Sequence, residues 1–414
     1  MNNREIIQTS IDYIENNLKS DISTQELAYM AGFSLWHYYR VFLAEVGMPV
    51  MQYVNRRRLL NAAYEISLGK KMVDAALEYG FDTHSGFFKA FKREFDCSPT
   101  AFLKKYGAKK PYRIDLSKEK HIMITNKKIL QTLANWDIFD EKISRTKNDN
   151  AFYVGDGYII KFTKNLSALK NHIFISKELE KAGLTAATAV PTSGELEYIK
   201  DGELYVCLTK RIEGKPVNVN AHNAESVGKS IGHLHKILQK IDGFSLNDNN
   251  LLAAVKDWAM PKSNGIMELE QSFCNSFIEN LESLYPDLPR QIIHRDPNTS
   301  NIIDNNSELG FVDFELTENN VRIYDPCYAA TAVLSEHFSQ REYWFDIYNG
   351  IIRGYDKAVN LTETEKKAIP YVIIANQLIC TAYFSGEEQY REILNININM
   401  TRWLVCNFER LHIE

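Results

Sequence analysis

Short helical patterns punctuated by Gly and Pro occupy the first hundred residues of this chain. Alternating apolar and polar runs follow between about 150 and 209, and a helical pattern returns after about 222. In the first region Ser23-x-x-Glu26 forms a capping box opening a helix over 25–30, Gly32 makes a turn, and Ser34 caps the next helix. The plan then repeats: residues 73–79 read as a helix, Gly80 as the turn, and Asp82 or Thr83 as the cap of a helix running to about Phe95. Residues 52–67 read as one long helix between the copies. The repeat is also visible residue by residue, with Gly32-Phe33 returning as Gly80-Phe81, Arg40-Val-Phe42 as Lys89-Ala-Phe91, and Met48-Pro49 as Ser98-Pro99. A short helix, a Gly turn, a second helix with an aromatic inner face and a Pro-marked stop make up the helix-turn-helix plan.

From Ala108 the chain turns basic and irregular, and Pro111 blocks continuation of the preceding helix, which places a boundary near 108–120. A helix is expected over 127–133, then strands over 151–154, 158–162, 196–199 and 204–209, with hairpin signals at Gly155-Asp-Gly157 and Asp201-Gly202. The expected fold class is therefore multidomain. An all-α double helix-turn-helix domain (1–110) and a linker (111–124) precede an α+β domain (125–414) with a sheet-rich lobe followed by a helix-rich one.

Length agrees, since 414 residues exceed one compact core and suggest two or three folding units. Charge is divided: residues 1–110 hold 15 Lys+Arg against 12 Asp+Glu, a net +3, and the remainder carries −8. That balance permits a nucleic-acid partner without arguing for one. Six widely spaced cysteines with no C-x-x-C pair point to reduced thiols rather than a disulfide framework or zinc site. The apolar stretch 369–384 is interrupted by Asn376 and Gln377 and is too short to span a bilayer. With no signal-peptide pattern at the start, the expected location is cytoplasmic, without a membrane partner.

Residues 7–107 resemble the DNA-binding domain of the AraC/XylS transcriptional regulators. The matching segments are Ile22-Ser-Thr-Gln-Glu-Leu-Ala28, Ala31-Gly-Phe-Ser34, Arg40-Val-Phe42, Ala76-Leu-Glu-Tyr-Gly-Phe81 and Phe87-Phe-Lys-Ala-Phe-Lys-Arg93 through Ser98-Pro99. The resemblance implies double-stranded DNA as partner, with two recognition helices entering successive major-groove segments. The groove-facing residues would be Trp36, Tyr39 and Arg40 in the first helix and His84, Ser85 and Lys89 in the second. Arg40 and Lys89 have the chemistry to read guanine, and Trp36 and Tyr39 offer apolar contact to thymine methyls. Phe42, Phe87 and Phe91 are expected in the core instead. The run Arg56-Arg57-Arg58, with Arg57 at its centre, is expected to neutralise phosphates.

A second chemistry lies in Ile293-His-Arg-Asp-Pro-Asn-Thr-Ser-Asn-Ile302, followed by Phe311-Val-Asp-Phe-Glu315. H-x-D-x-x-x-x-N and then an Asp on an apolar strand is the arrangement of kinase-like phosphotransferases. One Asp orients the acceptor hydroxyl, while an Asn and a second Asp hold Mg²⁺ against the nucleotide phosphates. The region from about 125 onward resembles the aminoglycoside phosphotransferase and choline kinase family, which implies a protein-kinase-like two-lobed fold and Mg²⁺ with ATP or GTP. By that resemblance Asp296 is the catalytic Asp, His294 its structural companion, and Asn301 and Asp313 the Mg²⁺ ligands. Lys161 would hold the phosphates, and Leu208 to Ile212 would form the adenine-binding hinge. Gly232-His-Leu-His235 and Tyr324-Asp-Pro326 match further family motifs, with Asp325 as a helix-packing or loop-anchoring carboxylate rather than a ligand.

Two positions depart from the family. Arg295 stands where most relatives have Gly. The helix expected to supply a Glu partner for Lys161 places His172, not Glu178, at that position when counted back from Gly183. The functional reading is a DNA-binding regulator whose effector domain binds nucleotide and a small hydroxyl-bearing molecule, with phosphate transfer to that molecule as a separate question. The alternatives are an ATP-dependent phosphotransferase of an aminoglycoside-like molecule with a fused regulatory domain, and a catalytically silent sensor.

Overall fold

The structure, a computed structural model, describes residues 2–95, 97–107, 110–118, 124–139, 141–146, 148, 150–241, 246, 248–306, 308–386 and 390–413, apart from the side chains of Tyr106 and Glu392. Part of the expected boundary and linker, residues 108–109 and 119–123, lies outside the described residues. The chain forms two compact units, Met1–Lys164 with Pro191–Leu208, and Asn165–Val190 with Thr209–Glu414.

The first unit opens with α1 (Asn3–Asn16), α2 (Thr24–Met30), α3 (Leu35–Val46), α4 (Val50–Ser67), α5 (Met72–Glu78), α6 (His84–Phe95) and α7 (Pro99–Tyr106). The caps hold these helices where the sequence puts them. The Ser23 hydroxyl accepts from the Glu26 N–H (3.1 Å), Ser34 from His37 (3.4 Å) and Thr83 from Gly86 (2.9 Å), satisfying N–H groups that a first helical turn leaves orphaned. Gly32 and Gly80 sit at φ +68° and +78°, the left-handed region that a side chain disfavours. Phe42, Phe87 and Phe91 are fully buried, and Phe91, Phe95 and Phe102 interlock with ring centroids 4.7–5.4 Å apart.

Residues beyond α7 complete this core. Ile114 and Leu116 are buried in it, and Gln8 of α1 clasps both, donating to the Ile114 carbonyl (2.9 Å) and accepting from the Leu116 N–H (2.8 Å). The unit continues through α8 (Asn126–Leu133) into β1 (Ile143–Arg145), β2 (Ala151–Val154) and β3 (Tyr158–Thr163), followed by β5 (Ile199–Asp201) and β6 (Leu204–Lys210). These strands run in the order β1-β2-β3-β6, with β5 against β6. The strand expected over 196–199 begins only at Ile199. Leu196 instead closes a turn, its N–H on the Thr192 hydroxyl (3.0 Å) and its carbonyl on the Thr192 N–H (2.9 Å). β1 carries no clear alternation and was not expected.

In the second unit α9 (Leu166–Lys181) and β4 (Ala189–Val190) precede β7 (Lys215–Pro216) and α10 (Ala224–Leu238). α11 (Leu251–Ala253) passes through a π-helical turn, Ala254–Ala259, into α12 (Met260–Met267), and α13 (Gln271–Leu284) follows. The site loops are then framed by β8 (Arg290–Ile293), β9 (Ile302–Asp304), β10 (Leu309–Phe311) and β11 (Glu318–Val321). β8 pairs with β11 and β9 with β10, both antiparallel. The rest is helical: α14 (Tyr324–Glu336), α15 (Trp344–Val359), α16 (Glu363–Phe384) and α17 (Arg391–Cys406). α10 and α15 approach so closely that a Cβ on Gly228 would lie 1.9 Å from the Ile351 carbonyl oxygen, and one on Gly354 2.0 Å from that of Glu225. Only glycine permits that crossing. Among the described residues no helix is long and apolar enough to cross a membrane.

Candidate functional site

α3 and α6 each divide into a core face and a solvent face. On α3, Tyr38 and Phe42 are buried while Trp36 is 82% exposed and Tyr39 and Arg40 also face solvent. On α6, Phe87 and Phe91 are buried while His84, Ser85 and Lys89 are exposed. The six residues expected to face the groove therefore all stand on open faces.

Arg57 does not belong with them. Its guanidinium is 3% exposed, donating from Nε to Glu15 Oε1 (2.6 Å), from Nη2 to Glu15 Oε2 (3.0 Å) and from Nη2 to the Tyr112 carbonyl (2.6 Å). Tyr53 donates to the same Glu15 carboxylate (2.6 Å). Arg56 is buried against Glu94, and Arg58 donates to the Leu18 and Ser20 carbonyls. The arginine run expected to neutralise phosphates is thus internal bracing, because α4 is the central helix of the domain and its arginines meet acceptors from α1, the turn after it, α6 and the segment beyond α7.

In the second unit the loop after β8 is anchored by Asp325 at the start of α14. This fully buried carboxylate accepts from the His294 N–H (2.8 Å), the Arg295 N–H (2.9 Å) and His235 Nε2 (2.8 Å). Burial pushes its carboxyl up, yet the hydrogen bonds from His235 and from the His294 backbone outweigh that and hold it below the usual carboxylate range. His294 is itself fully buried. Its Nε2 donates to the Val312 carbonyl (3.0 Å), so its Nδ1 is left to accept from the Asp296 N–H (3.4 Å). The ring joins two backbone segments and is not placed as an acid or base.

Asp296 is the group those supports present. Its Oδ1 accepts from Asn298 Nδ2 (2.8 Å) and its Oδ2 from Asn301 Nδ2 (3.2 Å), while Asn301 also donates to the Asp296 carbonyl (2.9 Å). Burial pushes the Asp296 carboxyl up and Asp313 adds its like charge, while the hydrogen bond from Asn298 opposes them. Two carboxylates close enough for Asp313 to raise Asp296, with an asparagine beside them, form an all-oxygen donor set suited to a hard divalent cation. Asp313 occupies the left-handed region (φ +67°), and the Val312 N–H is tied to the Asn301 carbonyl (3.0 Å), which holds the two expected metal ligands at one corner.

α9 meets that corner through His172, whose Nδ1 accepts from the Phe314 N–H (3.3 Å) and whose ring stacks on Phe314 with centroids 6.2 Å apart. Glu178 of the same helix turns outward and pairs with Lys181 (2.6 Å). In the first unit Lys161 lies half-buried on β3, in register with Ala151 of β2. Leu208 is buried near the end of β6, with Ile212 half-buried just beyond it.

Sequence reasoning missed the bracing of Arg295. Arg295 adopts φ +77°, the left-handed region that a side chain disfavours. Its side chain is held by Glu318 (2.8 Å) and lies 4.3 Å over the Tyr324 ring. No local motif marks these partners.

Comparison with known proteins agrees with both halves. The model of the phosphotransferase enzyme family matches residues 146–358, and that of a helix-turn-helix domain matches residues 27–105. The HTH-type transcriptional activator AarP of Providencia stuartii is 38% identical over 98 residues, which make up 23% of this chain and 73% of that protein. Other regulators similar in this region are covered over as little as 37% of their own length. Among solved structures, a microcompartment-associated aminopropanol kinase aligns with TM-score 0.54 and 15% identity, over 68% of this chain and 96% of its own. An amicoumacin kinase, hAmiN, in complex with AMP-PNP, Ca²⁺ and Ami aligns with TM-score 0.52 and 12% identity, over 67% and 92%. At such identities the likeness is one of fold.

Proposed function

This chain belongs to the phosphotransferase enzyme family and carries an AraC-type helix-turn-helix domain at its N-terminus, and from that premise we propose a sequence-specific DNA-binding regulator whose kinase-like domain binds nucleotide with Mg²⁺ and transfers phosphate to a small hydroxyl-bearing molecule. The observation that carries the reading is the Asp296–Asn301–Asp313 corner, one carboxylate held for an acceptor beside an oxygen donor pair suited to a cation. The hAmiN complex, with a nucleotide analogue and a divalent cation together in the same fold, supports it.

In this reading Asn301 and Asp313 hold Mg²⁺, which neutralises phosphate charge when bound. Lys161 holds the phosphates, and Leu208 to Ile212 form the adenine-binding hinge. Asp296 orients the acceptor hydroxyl and takes its proton as the hydroxyl oxygen bonds to the γ-phosphorus and the bond to the bridging oxygen breaks, leaving the nucleoside diphosphate. Trp36, Tyr39 and Arg40 read one major-groove segment, and His84, Ser85 and Lys89 the next. The chain then works where DNA and nucleotide are both at hand, in the cytoplasm.

A second reading, a silent sensor responding to nucleotide occupancy alone, is favoured by His172 at the position where the family's Glu was expected. Turnover separates the two. The full chain is given Mg²⁺-ATP or Mg²⁺-GTP with 1-amino-2-propanol, choline, kanamycin or glucose, and nucleoside diphosphate and phosphorylated product are measured. Nucleotide binding with no product from any acceptor, or from water, removes the enzyme reading and leaves the sensor. Absence of nucleotide binding at millimolar Mg²⁺-nucleotide sinks both.

A further inference from the structure

The helices proposed to read DNA and the strand that carries Lys161 belong to the same compact unit, and side chains tie them together. α6, the second of those helices, ends on Phe95, which is buried. The Arg145 guanidinium of β1 lies over that ring, 5.6 Å from its centre, and the Arg56 guanidinium of α4 lies 6.0 Å from it. A cation at such a distance over an aromatic face is attracted by the ring, the more so as water is excluded. Arg56 also donates to the Ile124 carbonyl (3.2 Å), just ahead of α8.

α3, the first of the reading helices, is tied through Arg4 of α1. Arg4 Nε donates to Glu45 of α3 (3.4 Å), and its Nη2 donates to Glu203 in the turn between β5 and β6. Lys164, three residues beyond Lys161, donates from Nζ to the carbonyl of Leu116 (3.4 Å), which is buried in the helical core. An exposed ion pair such as Arg4 with Glu203 is weak in water, so the contact on the buried Phe95 ring is the stronger tie.

Strand register connects that contact to the phosphate lysine. Arg145 of β1 is paired with Phe152 of β2, Phe152 with Ile160 of β3, and Lys161 follows Ile160. Neighbouring strands lie about 4.8 Å apart, so the strand that holds Phe95 runs only about 10 Å from the one that carries Lys161.

We propose that this seam couples the two ligands: nucleotide held at Lys161 fixes the sheet, the Arg145–Phe95 contact then holds α6 in its reading position, and Mg²⁺-nucleotide thereby raises the affinity for DNA. The inference rests on the nucleotide-binding and DNA-binding parts of the reading above and needs no phosphate transfer. Order that the first ligand has imposed is order that the second does not have to supply. The linkage is reciprocal, so DNA raises the affinity for nucleotide by the same factor.

The test uses the full chain and a duplex that it has selected from a random-sequence pool. Fluorescence anisotropy measures affinity for that duplex with and without saturating Mg²⁺-AMP-PNP or Mg²⁺-GMP-PNP, analogues that block turnover. Affinity is expected to rise about five- to a hundredfold with nucleotide, and nucleotide titrated into chain with and without duplex is expected to give the same factor. Arg145→Ala removes the cation over Phe95, and Arg145→Lys keeps the charge without the planar face. Both variants are expected to keep the wild-type affinity for duplex alone and for nucleotide alone. Coupling is expected to fall below about twofold in Arg145→Ala and to lie between that and wild type in Arg145→Lys. A duplex affinity that nucleotide leaves unchanged or weakens, full coupling in Arg145→Ala, or loss of either ligand's own affinity in both variants overturns the seam and leaves the reading above standing. A wild type that binds neither nucleotide or selects no duplex overturns that reading and the coupling with it.

Discussion

Arg57 and Glu15 form a doubly hydrogen-bonded ion pair inside the N-terminal helical domain, with contacts of 2.6 and 3.0 Å. Both side chains are more than nine-tenths buried. Arg57→Ala leaves the Glu15 carboxylate buried without its counter-charge, which costs about 3–5 kcal/mol of folding stability. Chemical denaturation of the full chain measures this. Arg40→Ala, on the open face of α3, should leave stability alone and weaken binding to a selected operator duplex by about 1–3 kcal/mol. If Arg57→Ala kept full stability and lost affinity for every duplex equally, the side chain would be a phosphate contact after all.

Glu65 makes the same domain sensitive to acid. Burial raises its carboxyl, but hydrogen bonds from Lys19, Lys70 and Tyr79 prevail and bring it to about 2. A carboxyl depressed in the folded state contributes stability that is fully present above its unfolded value, near 4.5, and is lost as pH falls toward about 2. Melting temperatures between pH 2 and 6 should therefore decline through that window, and Glu65→Gln should decline less steeply while being less stable at pH 6. Equal slopes for the two proteins would remove Glu65 as the cause.

Asp325 predicts a collapse of the loop rather than a partial defect. Asp325→Ala leaves the His294 and Arg295 backbone N–H groups and His235 Nε2 without an acceptor in a fully buried place. The expected cost is about 3–5 kcal/mol, read by denaturation, together with loss of any turnover. Unchanged stability would mean that the loop is anchored elsewhere.

Asp313 and Asp296 should separate in nucleotide binding. Asp313→Ala is expected to abolish tight Mg²⁺-ATP binding, whereas Asp296→Asn spares it and lowers transfer by roughly a hundred- to ten-thousandfold. Calorimetric titration of both variants, beside the turnover assay, distinguishes the roles. A reporter response that survives in Asp296→Asn and fails in Asp313→Ala would tie regulation to occupancy and not to chemistry.

The extent of the DNA-binding domain can be tested by truncation. A fragment ending at residue 118 keeps the buried Ile114 and Leu116 and the Tyr112 carbonyl that Arg57 holds; one ending at 110 loses all three. Full burial of such apolar side chains contributes about 1.5–3 kcal/mol each, so the longer fragment should be several kcal/mol more stable in urea. Equal midpoints would place the boundary at 110.

What the sequence by itself determined is local or repeated. Ser23, Ser34 and Thr83 announce helix starts because a hydroxyl satisfies N–H groups within three residues, and Gly32 and Gly80 mark turns because the left-handed backbone excludes side chains. The spacing of His294, Asp296, Asn301 and Asp313 is likewise legible, since one loop and one strand end carry all four. Tertiary structure decided the rest. Three successive arginines on α4 point about 100° apart, and nothing local says that Arg57 will find Glu15, 42 residues away, rather than a phosphate. Nor does Glu318 declare that it will hold Arg295. A charged or phenolic side chain takes whichever buried partner the packing of distant elements brings to it, and that choice exists only once the chain has folded.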